Sequence, residues 1–125
     1  MSLPTQILVS PSRDALTLAY SDNLSYTLSA EYLRVFSPSA EVRGHGRGNE
    51  VLQYGKREVL ISSLQKSGNY ALQIIFDDGH DSGIYSWDYL YDLGANYQSH
   101  WAQYLDQLNQ AGKSRQPDTQ IIQIH

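Results

Sequence analysis

Residues 69–93 read NYALQIIF, then DDG, then HDSGIYS, then WDYLYDL, with no linker between the last two. In NYALQIIF, Tyr70, Leu72 and Ile74 fall on one face of a strand and Ala71 and Ile75 near the other, the period of two expected of a half-buried strand. Asp78-Gly79 is a strong hairpin signal and predicts a two-residue turn with positive φ. Ser86 is placed to cap a helix that begins at Trp87, with Asp88 in its first turn, where the helix dipole favours a carboxylate. Gly94 reads as the stop of that helix. Asn96 opens a second helix, on which Tyr97, Trp101, Tyr104, Leu105 and Leu108 recur at helical spacing as an expected core-facing stripe, and Gly112 ends it. A hairpin that runs directly into paired helices commits the chain to an α+β fold.

Upstream, TQILVS and ALTLAY read as strands around the turn PSRD, and LSYTLS continues the meander after SDN. Ser29 caps a short helix, AEYLRVF, with Glu31 in its first turn, and Pro38 ends it. SPSAEVRGHGRGNE follows as a loop in which Gly44, Gly46 and Gly48 are spaced by two. It lacks the lysine and hydroxyl of a phosphate-binding loop, and no strand-to-helix context supports a dinucleotide site. EVLISSLQK is a further strand. The expected architecture is α+β: one antiparallel sheet of five to six strands, near 5–10, 15–20, 24–28, 58–66, 69–76 and 80–85. Two C-terminal helices, near 87–93 and 97–110, should pack on it. Residues 1–112 form the domain. Residues 113–125 form a polar tail, either disordered or adding an edge strand through Ile121, Ile122 and Ile124.

At 125 residues the chain is one domain by size, large enough to bury a core unaided. It has no cysteine, which excludes disulfides, thiolate nucleophiles and cysteine-ligated metals within the chain. MSLPTQILVSPSRD is no secretory signal, and no apolar run reaches membrane-spanning length, so a cytoplasmic protein without membrane partners is expected. The net charge of −4 argues against nucleic acid. Charge is also segregated: Arg43, Arg47, Lys56, Arg57 and Lys66 lie mid-chain, whereas residues 67–112 contain aspartates and no Lys or Arg. Tyrosines number ten against two phenylalanines and two tryptophans. Such rings suit the edge of a core or an interface, and Tyr85, Trp87, Tyr89 and Tyr91 are candidates for an aromatic surface facing a cationic partner, with Trp87 the one expected in the core.

The chemistry concentrates around His80. With Asp77, Asp78 or Asp81 it forms a candidate acid/base pair, but no nucleophile or cofactor motif accompanies it. Adjacent His80 and Asp81 on a strand face opposite ways and do not readily converge on one ion. The readings left are a histidine hydrogen-bonded to the SPSAEVRGHG loop, a metal site using His80 with His45, and an acid/base enzyme.

Three stretches carry a resemblance: LRVFSPSAEVRGHG (33–46), GNYALQIIFDDGHDSGIYSWDYL (68–90) and the leading strand pair. They resemble the gamma-butyrobetaine hydroxylase-like N-terminal domain family over roughly residues 5–112. The domain is similar to the N-terminal part of carnitine-pathway dioxygenases, where it is not the part that carries the catalytic iron, and to a domain appended to some P-loop iron–sulfur carriers. In the dioxygenases it resembles a zinc module of three cysteines and a hairpin histidine. That pattern falls here on Ser37, Ser39, Val42 and His80, so the resemblance implies the loss of all three thiolates. No cofactor is therefore expected, with zinc or iron at His80 and His45 as the alternative.

The function expected is a non-catalytic binding or adaptor domain that docks a protein partner, linked by the resemblance to iron–sulfur or iron-enzyme systems. Its surface is assigned to Ser37, Ser39, Glu41, Arg43, His45 and Arg47 of the loop and to Asp77, Asp78, His80, Asp81 and Tyr85 of the hairpin. A metal-binding module and a small-molecule enzyme are the competing functions.

Overall fold

The computed structural model describes residues 3–44 and 50–117. Among the described residues, six strands form two three-stranded antiparallel sheets, not the single sheet expected. The first comprises β1 (Gln6–Val9), β2 (Ala15–Ala19) and β3 (Ser25–Ser29), in that order. The second comprises β4 (Ile61–Ser67), β5 (Ala71–Phe76) and β6 (Gly83–Ser86). Each is a meander, so hairpin connections complete the central strand on both sides and no ladder is needed between the sheets. They meet at one corner. Arg13, in the β1–β2 turn with φ of 63°, donates its Nε to the Ile61 carbonyl at 2.7 Å and accepts the Ile61 amide at 2.8 Å.

Along the chain, α1 (Ala30–Val35) and α2 (Ala40–Arg43) separate the two sheets, and α3 (Trp87–Ala95) and α4 (Tyr97–Ala111) follow the second. Ser29 and Ser86 cap α1 and α3 as their sequences predict, accepting from the Tyr32 and Tyr89 amides. α2 is a single turn inside the segment read as loop. Gly94 does not stop α3, which runs on to Ala95 with Asn96 as its C-cap. Its missing side chain has another use: a Cβ there would overlap the Tyr26 ring on β3. Helix and sheet approach too closely for anything larger.

The main core joins both sheets through Leu16, Leu18, Leu28, Ile61, Leu72 and Ile74 with the helical Leu33, Leu90 and Leu93. The buried tyrosines do more than fill volume. The last carbonyls of a helix lack intrahelical donors. Tyr85 donates its hydroxyl to the Leu33 carbonyl and Tyr89 donates to that of Phe36 (2.6 Å), both at the C-terminal end of α1. Tyr32 supplies the Leu93 carbonyl of α3 at 2.7 Å, and Tyr104 the Gln53 carbonyl at 2.7 Å. Phenylalanine would bury the same ring and leave each acceptor short, at about 1–3 kcal/mol apiece. This explains the skewed aromatic composition, and it corrects the expected aromatic surface. Tyr85 is buried, Tyr89 is tied to α1, and Tyr91 packs edge-on against Tyr20 and Tyr26, while Trp87 is buried as expected.

On α4 the buried face is Tyr104 and Leu108, with Trp101 packed beside them. Leu105 is 40% exposed and drops out of the stripe. Leu108→Ala is predicted to cost about 2–4 kcal/mol and Leu105→Ala less than about 1 kcal/mol, measurable by urea denaturation. Equal losses would reject this orientation of α4.

Residues after α4 are not all tail. Arg115 forms a two-pronged ion pair with buried Glu31 of α1, at 2.8 and 2.7 Å, and lies over the Trp101 ring. The Ser114 and Arg115 carbonyls accept the Gly55 and Arg57 amides. Contacts with the body of the fold therefore run past residue 112, as far as Arg115. Ile121, Ile122 and Ile124 lie outside the described residues. Among the described residues, no helix is long and apolar enough to cross a membrane.

Candidate functional site

The β5–β6 connection is tighter than a long loop and longer than a two-residue turn. The Phe76 carbonyl accepts the Gly79 amide and the Phe76 amide donates to the His80 carbonyl, which closes the three-residue turn Asp77-Asp78-Gly79. Gly79 has φ of 89°, as expected, and Asp78 has no positive φ. The geometry is that of a turn followed by a glycine bulge, which needs only one left-handed residue. Asp78 Oδ1 accepts the His80 amide at 3.1 Å and holds the turn from inside.

Beyond the bulge the chain turns His80 inward, and the residue is only 6% exposed. Its Nε2 is 2.8 Å from Ser37 Oγ and 3.4 Å from Ser39 Oγ, while Nδ1 is 3.3 Å from Glu41 Oε2. The carboxylate calls for a proton on Nδ1, so Nε2 is the acceptor for the Ser37 hydroxyl. Ser37 also accepts the Ser39 amide. The two segments expected to meet do meet, through buried Ser37 and His80, with the exposed Glu41 carboxylate completing a chain that spans both ring nitrogens.

Gly83 makes room for this chain: a Cβ there would come within 2.7 Å of Ser37 Oγ and 3.0 Å of the Tyr85 ring. Burial lowers the His80 pKa below its ordinary 6.5, helped by the Arg34 cation and opposed by Glu41 and Asp78. The unfolded chain therefore takes up the proton first as pH falls. Stability from this group is complete above 6.5 and declines below it, until the folded state is protonated too. Melting temperature should fall as pH drops through 6.5 and on into the acid range, and His80→Gln should flatten that part of the profile.

Sequence reasoning missed Arg34. It is buried on α1, donates Nε to Asp78 Oδ2 at 2.9 Å and reaches Gln53 Oε1 with Nη1 at 3.0 Å. Lys56 meets the same Asp78 oxygen at 3.0 Å. Burial pushes the Asp78 carboxyl up, but the His80 amide, Lys56 and Arg34 outweigh it and hold the pKa below its ordinary value. The available signal was a lone cation in the otherwise apolar second half of a six-residue helix.

The aspartate that meets cations is Asp78, through Arg34 and Lys56. Arg43 makes no ion pair with Asp77 or Asp81 among the described residues, and Arg47 and His45 lie outside them. Asp77 is occupied locally, its Oδ1 accepting the Leu60 amide at 2.9 Å.

Of the surface assigned from sequence, Ser37, Ser39, His80 and Tyr85 are interior, because the hydrogen-bonded chain and the α1 carbonyls draw them inward. Glu41, Arg43, Asp77 and Asp81 are exposed. Asp78 is exposed as a residue, although only 23% of its side chain is, because Arg34 and Lys56 cover the carboxylate.

The model of one family, gamma-butyrobetaine hydroxylase-like, N-terminal, matches residues 7–91, from within β1 to within α3, and so takes in Ser37, Ser39, Glu41 and His80. The chain belongs to that family. Among solved structures, this gamma-butyrobetaine hydroxylase-like domain is similar to a protein whose solution structure was determined by NMR, at 50% identity and a TM-score of 0.82, covering 99% of this chain and 98% of that one. A second NMR structure is 41% identical, with a TM-score of 0.79, over 100% and 94% of the two chains. A crystal structure of a DUF971-family protein of unknown function from Acidithiobacillus ferrooxidans is 30% identical, with a TM-score of 0.62, over 75% and 94%. No functionally curated protein matches the chain.

The zinc module that the resemblance implies does not fit the residues present. Their cysteine positions hold two hydroxyls and the alkyl side chain of Val42, and the one imidazole lone pair already faces the Ser37 proton. Among the described residues, no group of three or more histidine, cysteine or acidic side chains is placed to hold a metal ion.

Proposed function

We propose that this domain is a non-catalytic docking module for a protein partner, presenting Glu41, Arg43, Asp77 and Asp81 on a braced loop-and-hairpin platform. The observation that supports this reading is the engagement of His80. The group best suited to acid/base work lies buried, with neighbours at both ring nitrogens, whereas the charged side chains around it face outward. A hydrogen-bonded support beneath exposed charges of both signs suits orientation and specificity at a protein surface. Family membership directs the search for that partner first to iron-enzyme and iron–sulfur assembly proteins, an argument by association rather than by geometry.

Affinity capture from the native organism, with the bound protein quantified by mass spectrometry, tests the reading. Arg43→Glu and Asp81→Lys are expected to reduce capture about tenfold and to leave the melting temperature within 2 °C or so. Added salt should weaken the wild-type interaction. Unfolding of both variants would make these residues structural. Turnover of a small molecule by the purified protein, lost in His80→Ala, would replace docking with catalysis.

A further inference from the structure

Away from His80, an open groove of about 800 Å³ runs between α4 and the segment 50–53. Its floor is apolar: Val35, Phe36, Leu52 and Tyr104, part of a second small core under that segment. One wall is a ladder of side-chain amides, Gln103, Gln107 and Gln110, at the i, i+4, i+7 spacing that aligns them along one face of α4. Gln110 is engaged with Asp106 of its own helix, whereas Gln103 and Gln107 have no hydrogen-bond partner among the described residues. The opposite wall presents Val51, 53% exposed, and the charged Arg43 and Glu50.

We infer that this groove binds an extended peptide segment of a partner protein, read by its backbone and anchored by one apolar side chain. The inference rests on the docking reading above and names the chemistry of the occupant. Each glutamine offers a carbonyl acceptor and an NH₂ donor on one group, the pair of functions that a peptide unit also carries. Two free amides one helical turn apart match the main chain of an extended strand laid along α4. From His100 to Ala111 the helix rises about 16 Å, room for roughly five extended residues. The apolar floor takes a side chain pointing down, and alternate side chains point out.

Charge does not favour the obvious alternative. Among the described lining residues, Glu50 and Asp92 stand against Arg43 and His100, and His100 is already engaged by Asp92, so the groove offers a nucleic acid or other polyanion no net positive charge.

A library of random heptapeptides displayed on phage, panned against the purified full-length chain, provides the probe. Enriched peptides should share an aliphatic or aromatic residue. Titrated as synthetic peptides into ¹⁵N-labelled protein, they should shift the amides of Leu52, Gln53, Gln103 and Gln107. Gln107→Arg and Gln103→Arg, each on the exposed face of α4, should weaken binding at least tenfold, and Gln98→Arg, outside the groove, should not. The inference is overturned if no peptide is enriched, or if the groove variants bind as the wild type does. It is also overturned if the shifts map to residues 77–82 instead, an outcome that leaves the platform as the docking surface. Loss of capture in Asp81→Lys but not in Gln107→Arg would likewise retain the docking module and remove the groove.

Discussion

Gly83→Val is expected to destabilise the domain by about 2–4 kcal/mol, a fall of roughly 8–15 °C in melting temperature for a chain of this size. The added Cβ would press on Ser37 Oγ and on the Tyr85 ring at once. Neither can yield freely: Ser37 is fully buried and hydrogen-bonded to His80, and Tyr85 is fully buried with its hydroxyl on the Leu33 carbonyl. Relief requires opening the β6 edge away from α1 or surrendering both hydrogen bonds. Gly83→Ala should show a smaller loss in the same direction. Calorimetry that finds the valine variant within 2 °C or so of wild type would mean that β6 does not approach the loop this closely.

The second large effect is expected at the far end of the chain. Arg115→Ala leaves the Glu31 carboxylate buried on α1 without its two-pronged partner and removes the guanidinium from the Trp101 face. Removing one member of a buried ion pair costs about 3–5 kcal/mol. A third of the Arg115 side chain is open to solvent, so about 2–3 kcal/mol is expected. The double variant Glu31→Gln, Arg115→Ala should recover part of the loss, because the stranded charge is gone. Truncation after Gly112 should be as damaging as Arg115→Ala. A truncated chain as stable as the full one would restore the boundary at residue 112.

These sites mark the limit of what sequence makes legible. Local signals carried far: Ser29 and Ser86 cap their helices, Gly79 takes positive φ, and six strands form in the expected order. Each depends on residues within a few positions of one another. What sequence left hidden is decided at long range. Gly94 carries the composition of a helix stop, yet it is set by a tyrosine on β3. Leu105 fits a helical stripe, but the burial of Tyr104 and Leu108 turns it outward. Two meanders cannot be told from one sheet by alternation, because pairing between edges leaves no mark on period. Within the site, the pairing of His80 with the Ser37–Ser39 loop came from the family resemblance, while the roles of Arg34, Lys56 and Arg115 needed coordinates. Their partners lie 44, 22 and 84 residues away.

The claim at the centre of this account is that His80 is a neutral, buried support and not a working acid, base or ligand. Long-range ¹H–¹⁵N correlation of the histidine side chains through a pH titration tests it directly. The account predicts that His80 carries its proton on Nδ1 at neutral pH and titrates below 6.5. A His80 protonated on Nε2, or one that titrates at or above 6.5 with rapid solvent exchange, would contradict it.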